Sequence, residues 1–280
     1  MPGEPFTSEK NVSAETKSNI RKLYGLDKPI WEQYLIYPKN IITEGSFGTS
    51  TSKGRAVGDI IAQSFPNSLL LGLCALGFAV GIGVPIGVLS AVRRNTWVDW
   101  SCMAIAMVGI CVPSFTIGPL LQIYFAAHVP GLKVAGWGSP QDVLLPAFTL
   151  GLVSAAYLAR LTRGGILEVL SQDFVRTARA KGLSPSKVII KHSLRGGLIP
   201  AVAYLGPAFA ALISGSFIVE TIFQVPGMGQ HFVNAATTRD EFLLLGVSLF
   251  FGFLIVVMNL LADVLTGLLD PRVRIAGKAD

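Results

Sequence analysis

Five long apolar runs, near residues 67–92, 99–127, 142–163, 197–219 and 242–266, are separated by polar connections along this chain. At about 1.5 Å rise per residue, each run is long enough to cross a hydrocarbon core of roughly 30 Å. A single segment in lipid satisfies its own backbone only as a helix. The pattern predicts an all-α fold: a polytopic transmembrane helix bundle with five spans in this chain. Pro85, Pro113, Pro119, Pro146 and Pro207 fall inside the runs. Proline there bends a helix and frees carbonyls, which suits a bundle that gates a pathway and is also ordinary in membrane helices. Gly77/Gly81 and Gly83/Gly87 form G-x-x-x-G pairs that permit close helix packing.

Residues 1–63 are polar, with eight basic and seven acidic side chains, and predict an external N-terminal segment. Helical patterning within Lys17–Tyr37 involves Ile20, Leu23, Ile30, Tyr34 and Leu35 and is interrupted at Gly25 and Pro29. EGSFGTSTSKG reads as a loop. Met1 is not followed by the basic and apolar regions of a signal peptide. A transmembrane domain is expected over 64–266 and a cytoplasmic tail over 267–280.

The long basic interruption is residues 164–196, within which DFVRTARAKGLSPSKVIIKHSLRGGLIP begins at Asp173. Leu167, Leu170, Phe174 and Ala178 recur at helical spacing and predict the apolar face of a first short helix. Gly182 stands where a helix end favours positive φ. Ser184 and Pro185 suit the N-cap and first position of a second helix. Such a compact charged hairpin is a docking surface; a solvated loop that only orients the chain is the plainer alternative.

Composition sharpens this picture. The chain is 51% hydrophobic and 14% charged, against roughly 25% charged in soluble domains. Thirteen basic residues share one side: Arg93 and Arg94, eight in the central loop from Arg160 to Arg195, and Arg272, Arg274 and Lys278. The opposite connections carry Lys133 and Arg239. The positive-inside rule puts the thirteen in the cytoplasm. No basic face interleaved with aromatics exists outside the loops, so nucleic acid is not an expected partner. Cys74, Cys102 and Cys111 lie in apolar runs, where free cysteine packs as a small hydrophobe.

Catalytic patterns are missing: there is no G-x-x-x-x-G-K-[ST], G-x-S-x-G or H-E-x-x-H. No metal site is expected. His128 and His231 fall on the external side and His192 on the cytoplasmic side, so they cannot form one site. Asn259 and Asp263 share a face near the cytoplasmic end of the last run. A polar pivot, a proton relay in an ion-coupled transporter and a structural hydrogen bond all remain open there.

The central loop resembles the cytoplasmic Glu-Ala-Ala loop of ABC-importer permeases. Aligned on Gly182, that motif falls on Arg176, Thr177 and Ala178; its glutamate is absent and its later proline falls on Arg195. RTARAKGLS followed by His-x-Leu-Arg is similar to the version in the oligopeptide, dipeptide and nickel branch. PGEPF, YGLDKPIWEQYLIY, SFPNSLLLG and LLDPRVR resemble the B-type permease of that branch. So does VETIFQVPGMGQHFVNAATTRDEF, whose pattern rests on Glu220, Phe223, Pro226, Gly227, Gly229, Arg239 and Asp240.

The resemblance implies a chain lacking the family's first helix. It implies an ATPase-coupling loop carrying Arg176, Thr177, Ala178, Lys181, Gly182, Leu183, Lys187 and Leu194, with Ala178 and Gly182 allowing close seating. It also implies an external segment, bracketed by Glu220 and Asp240, facing the translocation route. The expected partners are a C-type permease, two ABC ATPase subunits, an extracytoplasmic peptide-binding protein and the lipid bilayer. ATP and Mg would be used by the ATPases, with no cofactor bound by this chain and no enzyme activity of its own. The implied setting is the cytoplasmic (inner) membrane of a bacterium, and the implied cargo di- or oligopeptides, with nickel or another solute as alternatives.

Overall fold

A computed structural model describes residues 29–126, 128–129 and 133–269. The expectations for Lys17–Lys28, PGEPF and the tail beyond Leu269 lie outside the described residues. Helix α1 (Ile30–Glu44) follows Pro29 and ends at Gly45, whose φ of 62° is the left-handed stop of a helix C-terminus. Helix α2 (Val57–Val92) is continuous through Pro66 and Pro85. It therefore starts before the expected boundary at residue 63, and at about 1.5 Å per residue it exceeds the membrane thickness.

The second apolar run is not one straight helix. Helix α3 (Trp97–Cys111) stops at Val112, and α4 (Ser114–Leu121) leaves at 100° with its π-helical continuation Gln122–Ala126. Proline disfavours the helical region for its predecessor, and Val112 is extended at φ −85°, ψ 120°. Helix α5 (Leu144–Leu170) carries Pro146 in its first turn, where the missing N–H costs nothing, and runs beyond the expected end at 163. Helices α6 (Asp173–Ala180), α7 (Ile199–Phe223), α8 (Met228–Thr238) and α9 (Glu241–Leu269) complete the order. Among the described residues, three unbroken helical stretches are long and apolar enough to cross a membrane, or up to five if each of two bent pairs is one span.

Helices α2 and α5 pack at backbone contact. A Cβ on Gly83 would stand 2.4 Å from the Ala155 carbonyl oxygen, and one on Gly87 2.5 Å from that of Ala159. Among the described residues nothing lies within 4 Å of a Cβ on Gly77 or Gly81, so there only the Gly83/Gly87 pair makes a close helix contact. Ile60, Phe209, Ile213, Met228, Leu243 and Val247 form one core, beside a second built on Leu71, Leu150, Val219 and Phe223.

At the C-terminal end of α2, Asp99 of α3 is fully buried. It accepts hydrogen bonds from Arg163 Nε at 2.7 Å and Nη2 at 2.8 Å, from the Asn95 N–H at 3.0 Å, and from the Ser90 hydroxyl. One carboxylate thus ties α2, α3 and α5 together.

Candidate functional site

The basic loop over residues 164–196 has a defined shape. The Gly182 N–H donates to Arg179 O at 3.0 Å and the Leu183 N–H to Ala178 O at 3.3 Å. This is the paired closure of a Schellman end, and Gly182 supplies its positive φ of 78°. Helical structure resumes at Pro185, passes through a π-helical stretch, Val188–Ser193, and continues over Leu194–Gly197. Val175 and Val188 are fully buried and pack with Val169 and Ala178.

One expectation needs correction here. Phe174 is not part of the buried face: its side chain is 47% exposed, and Val175 takes its place. The break at Ser171–Gln172 resets the helical phase, so Leu167 and Leu170 do not continue onto Phe174. A second point concerns Ala178, which is buried and packs within the loop with Val169, Val175 and Val188. The exposed surface includes Arg176, Thr177, Lys181, Gly182 and Lys187, with Arg179, Lys191 and Arg195, together with Asp173, Phe174 and Ile190, while Leu183 and Leu194 are half-buried.

The loop's base is fixed by glycine. A Cβ on Gly165 would lie 2.3 Å from Gly197 O, and one on Gly197 would meet Ile166 at 2.7 Å. The end of α5 and the start of α7 therefore touch directly. A cleft of about 360 Å³ opens beside this contact, lined by Glu168, Phe174, His192 and Pro200 among others.

The turn between α7 and α8 is built around Glu220, which is fully buried at the end of α7. Its carboxylate accepts from Ser216 Oγ at 2.6 Å and from the Gly229 N–H at 2.7 Å. Its own carbonyl accepts the Val225 N–H. Both glycines of Pro-Gly-x-Gly are needed by this approach: a Cβ on Gly227 would stand 2.4 Å from Glu220 Oε2, and one on Gly229 2.7 Å from it. The Pro226 carbonyl accepts from Asn67 at 2.9 Å, tying the turn to α2. Phe223 is buried in the second core. Glu220 thus holds a turn.

Arg239 ends α8 in the left-handed region at φ 57° and is exposed. Asp240 is fully buried and takes the Ser50 hydroxyl at 2.5 Å, the Ser52 hydroxyl at 2.7 Å and the Ser52 N–H at 3.0 Å. Burial pushes its pKa up, but the hydrogen bonds from Ser50, Ser52 and Leu243 outweigh this and hold it below the usual carboxylate range. Beside it Lys53 Nζ lies 2.7 Å from His231 Nδ1. Burial first, then the charges of Lys53 and Arg55, lower the His231 pKa to about 4, so the imidazole is neutral and accepts from the ammonium.

Asn259 and Asp263 do not form a paired site among the described residues. The Asn259 Oδ1 is buried without a hydrogen-bond partner, and Asp263 is exposed. No group of three or more His, Cys, Asp or Glu able to hold a metal occurs among the described residues. Cys74 and Cys111 lie on outer faces. The Asp99–Arg163 bridge and the Ser50–Asp240 contact escaped the sequence reading. A buried aspartate opening an apolar run was the available signal for the first.

Residues 83–275 match the family described as binding-protein-dependent transport system inner membrane component. The oligopeptide transport system permease protein OppB of Haemophilus influenzae is 42% identical over 276 residues, covering 98% of this chain and 90% of the relative. The dipeptide transport system permease protein DppB of Bacillus subtilis is 40% identical over 279 residues, covering 99% and 90%. A solved structure of the MetNI methionine ABC transporter, in an inward-facing conformation, shares the fold. Its TM-score is 0.64 at 18% identity, over 75% of this chain and 96% of the other. With a match over most of its length, and relatives this similar from end to end, the chain belongs to the binding-protein-dependent transport system inner membrane components.

Proposed function

We propose that this chain is the B-type permease subunit of an ATP-driven importer of di- and oligopeptides in a bacterial inner membrane. It forms the translocation pathway with a C-type permease. The observation that carries this reading is 40–42% identity, over nearly the whole chain, to permeases named for oligopeptide and dipeptide transport. Two ABC ATPase subunits use the ATP and Mg, and an extracytoplasmic binding protein delivers the cargo.

The loop's construction supports a lever role. Its buried valines and the Gly165–Gly197 contact make α6 one body with the ends of α5 and α7. Force applied to α6 is passed to those helices rather than absorbed by bending, because close-packed interiors transmit strain. The exposed Arg176, Lys181 and Lys187 suit an acidic face on the motor subunit.

Co-purification with candidate ATPases, followed by cargo-stimulated ATP hydrolysis in liposomes, tests the proposal. Gly182→Val forces a β-branched residue into left-handed backbone, at about 1–2 kcal/mol or more. The space around Gly182 is open, so the substitution causes no internal clash. Transport and stimulated hydrolysis should fall while membrane insertion stays intact; wild-type transport would remove the coupling role. Transport that persists without any ATPase and depends on Asp263 would point instead to an ion-coupled carrier.

A further inference from the structure

Helices α2, α3 and α5 enclose a narrow groove on the apolar surface of the bundle, of about 160 Å³. Ile82, Ile86, Cys102, Ile105, Phe148 and Ala156 are among its walls, and no charged side chain lines it. Toward the cytoplasm the same three helices converge on positive charge. Arg93 lies seven residues beyond Ile86, about 10 Å further along α2. Arg94 follows it, and Arg160 stands one helical turn beyond Ala156. All three arginines are exposed, and none is seen in an ion pair among the described residues. Trp97 and Trp100 open α3 at this level and are 74% and 67% exposed, as rings at a headgroup boundary are.

We infer that this groove and its arginine rim bind an anionic phospholipid of the inner leaflet, one acyl chain in the groove and the headgroup phosphate at Arg93, Arg94 and Arg160. The lining is apolar, as an acyl chain requires, and the exposed arginines beyond it complement an anionic headgroup. Hydrocarbon gains little by leaving other hydrocarbon, so selectivity resides in the rim. A basic side chain near an anionic surface is worth on the order of five-fold in affinity. Three together should give roughly 100-fold preference for an anionic over a zwitterionic headgroup.

The test is native mass spectrometry of the full chain in mild detergent, titrated with phosphatidylglycerol or phosphatidylcholine of identical acyl chains. The wild type should retain one phosphatidylglycerol in strong preference. R93Q/R94Q/R160Q should lose that preference by roughly 100-fold while keeping the residual binding common to both lipids. Cys102→Phe, which fills the groove without touching charge, should lose retention of both. Equal retention of the two lipids by the wild type overturns the proposal. So does unchanged preference in the triple variant, or a photocrosslinker on Cys102 that captures another polypeptide in native membranes instead of lipid. None of these readouts depends on cargo or on ATPase coupling.

Discussion

Removing the guanidinium from the Asp99 site should expose how much of the cytoplasmic end depends on one ion pair. Asp99 is 1% exposed at its side chain and Arg163 28%. Arg163→Met deletes two short charge-assisted bonds and leaves the carboxylate with the Ser90 hydroxyl and the Asn95 N–H as donors. Breaking a buried pair from one side costs about 3–5 kcal/mol, chiefly through the charge left without its partner. The partial exposure of Arg163 admits water and places this case at the low end, about 3 kcal/mol. At roughly 2–4 °C per kcal/mol for a chain of this size, the melting midpoint should drop by about 6–12 °C. The assay is thermal unfolding of the purified chain in detergent, with Asp99→Leu/Arg163→Met as the second arm. Replacing both partners with apolar groups is often neutral or stabilising, so the double variant should recover most of the loss. A midpoint unchanged in the single variant, or a double variant as weak as the single, would mean that the pair does not tie the three helices together.

Three other outcomes follow from the geometry. Gly229→Val must push into Phe217 and Glu220 Oε2, so the external turn should lose about 1–3 kcal/mol through overpacking; proteolysis between α7 and α8 in outward-facing vesicles reads this. Acid should release the Ser50–Arg55 turn. The His231 pKa is lowered from 6.5 to about 4 on folding, so the unfolded state takes up the proton first and the stabilisation, full above pH 6.5, falls away between 6.5 and about 4. The Asp240 contribution, from a lowered carboxyl pKa, is lost at still lower pH, below the normal carboxylate value. Cleavage of the turn by added protease should rise across the His231 window and flatten there in His231→Gln. Lys187, exposed on the loop, should be unreachable by an impermeant amine reagent in intact cells and labelled after lysis.

The hairpin was readable from sequence because its signals are local: a glycine at a helix end, then Ser184-Pro185, each acting within one turn. The phase of its buried face was not, since Ser171–Gln172 interrupts the helix without any glycine or proline to mark the break. The prolines show the same division. Pro85 and Pro113 offer the same missing N–H, yet α2 continues through the first, flanked by Gly83 and Gly87 pressed against α5. Near Pro113 the chain is exposed at Cys111, and the next helix docks elsewhere, through Gly118 on Ile222 and Phe223. Tertiary packing decides which proline bends and which breaks, and a window of local sequence does not contain it.

The same reasoning explains why the polar anchors were hidden while the apolar spans were plain. Asp99 and Arg163 stand 64 residues apart, and Ser50 and Asp240 stand 190 apart. Each reads alone as a charge or hydroxyl near a span end. In the folded chain these contacts lie toward opposite ends of α2, Asp99 on Ser90 near one end and Asp240 on Ser50 beside the other. Hydrocarbon contributes little to holding one apolar helix beside another, so register in such a bundle rests on close small-residue contact and on satisfied polar groups. Here the two means are divided by depth. Gly83 and Gly87 set the distance between α2 and α5 along the span, and the buried carboxylates fix the ends. Under the proposed coupling role, force at the loop would act on helices clamped at both ends, and the break at Val112–Pro113 offers a bend between the two clamps.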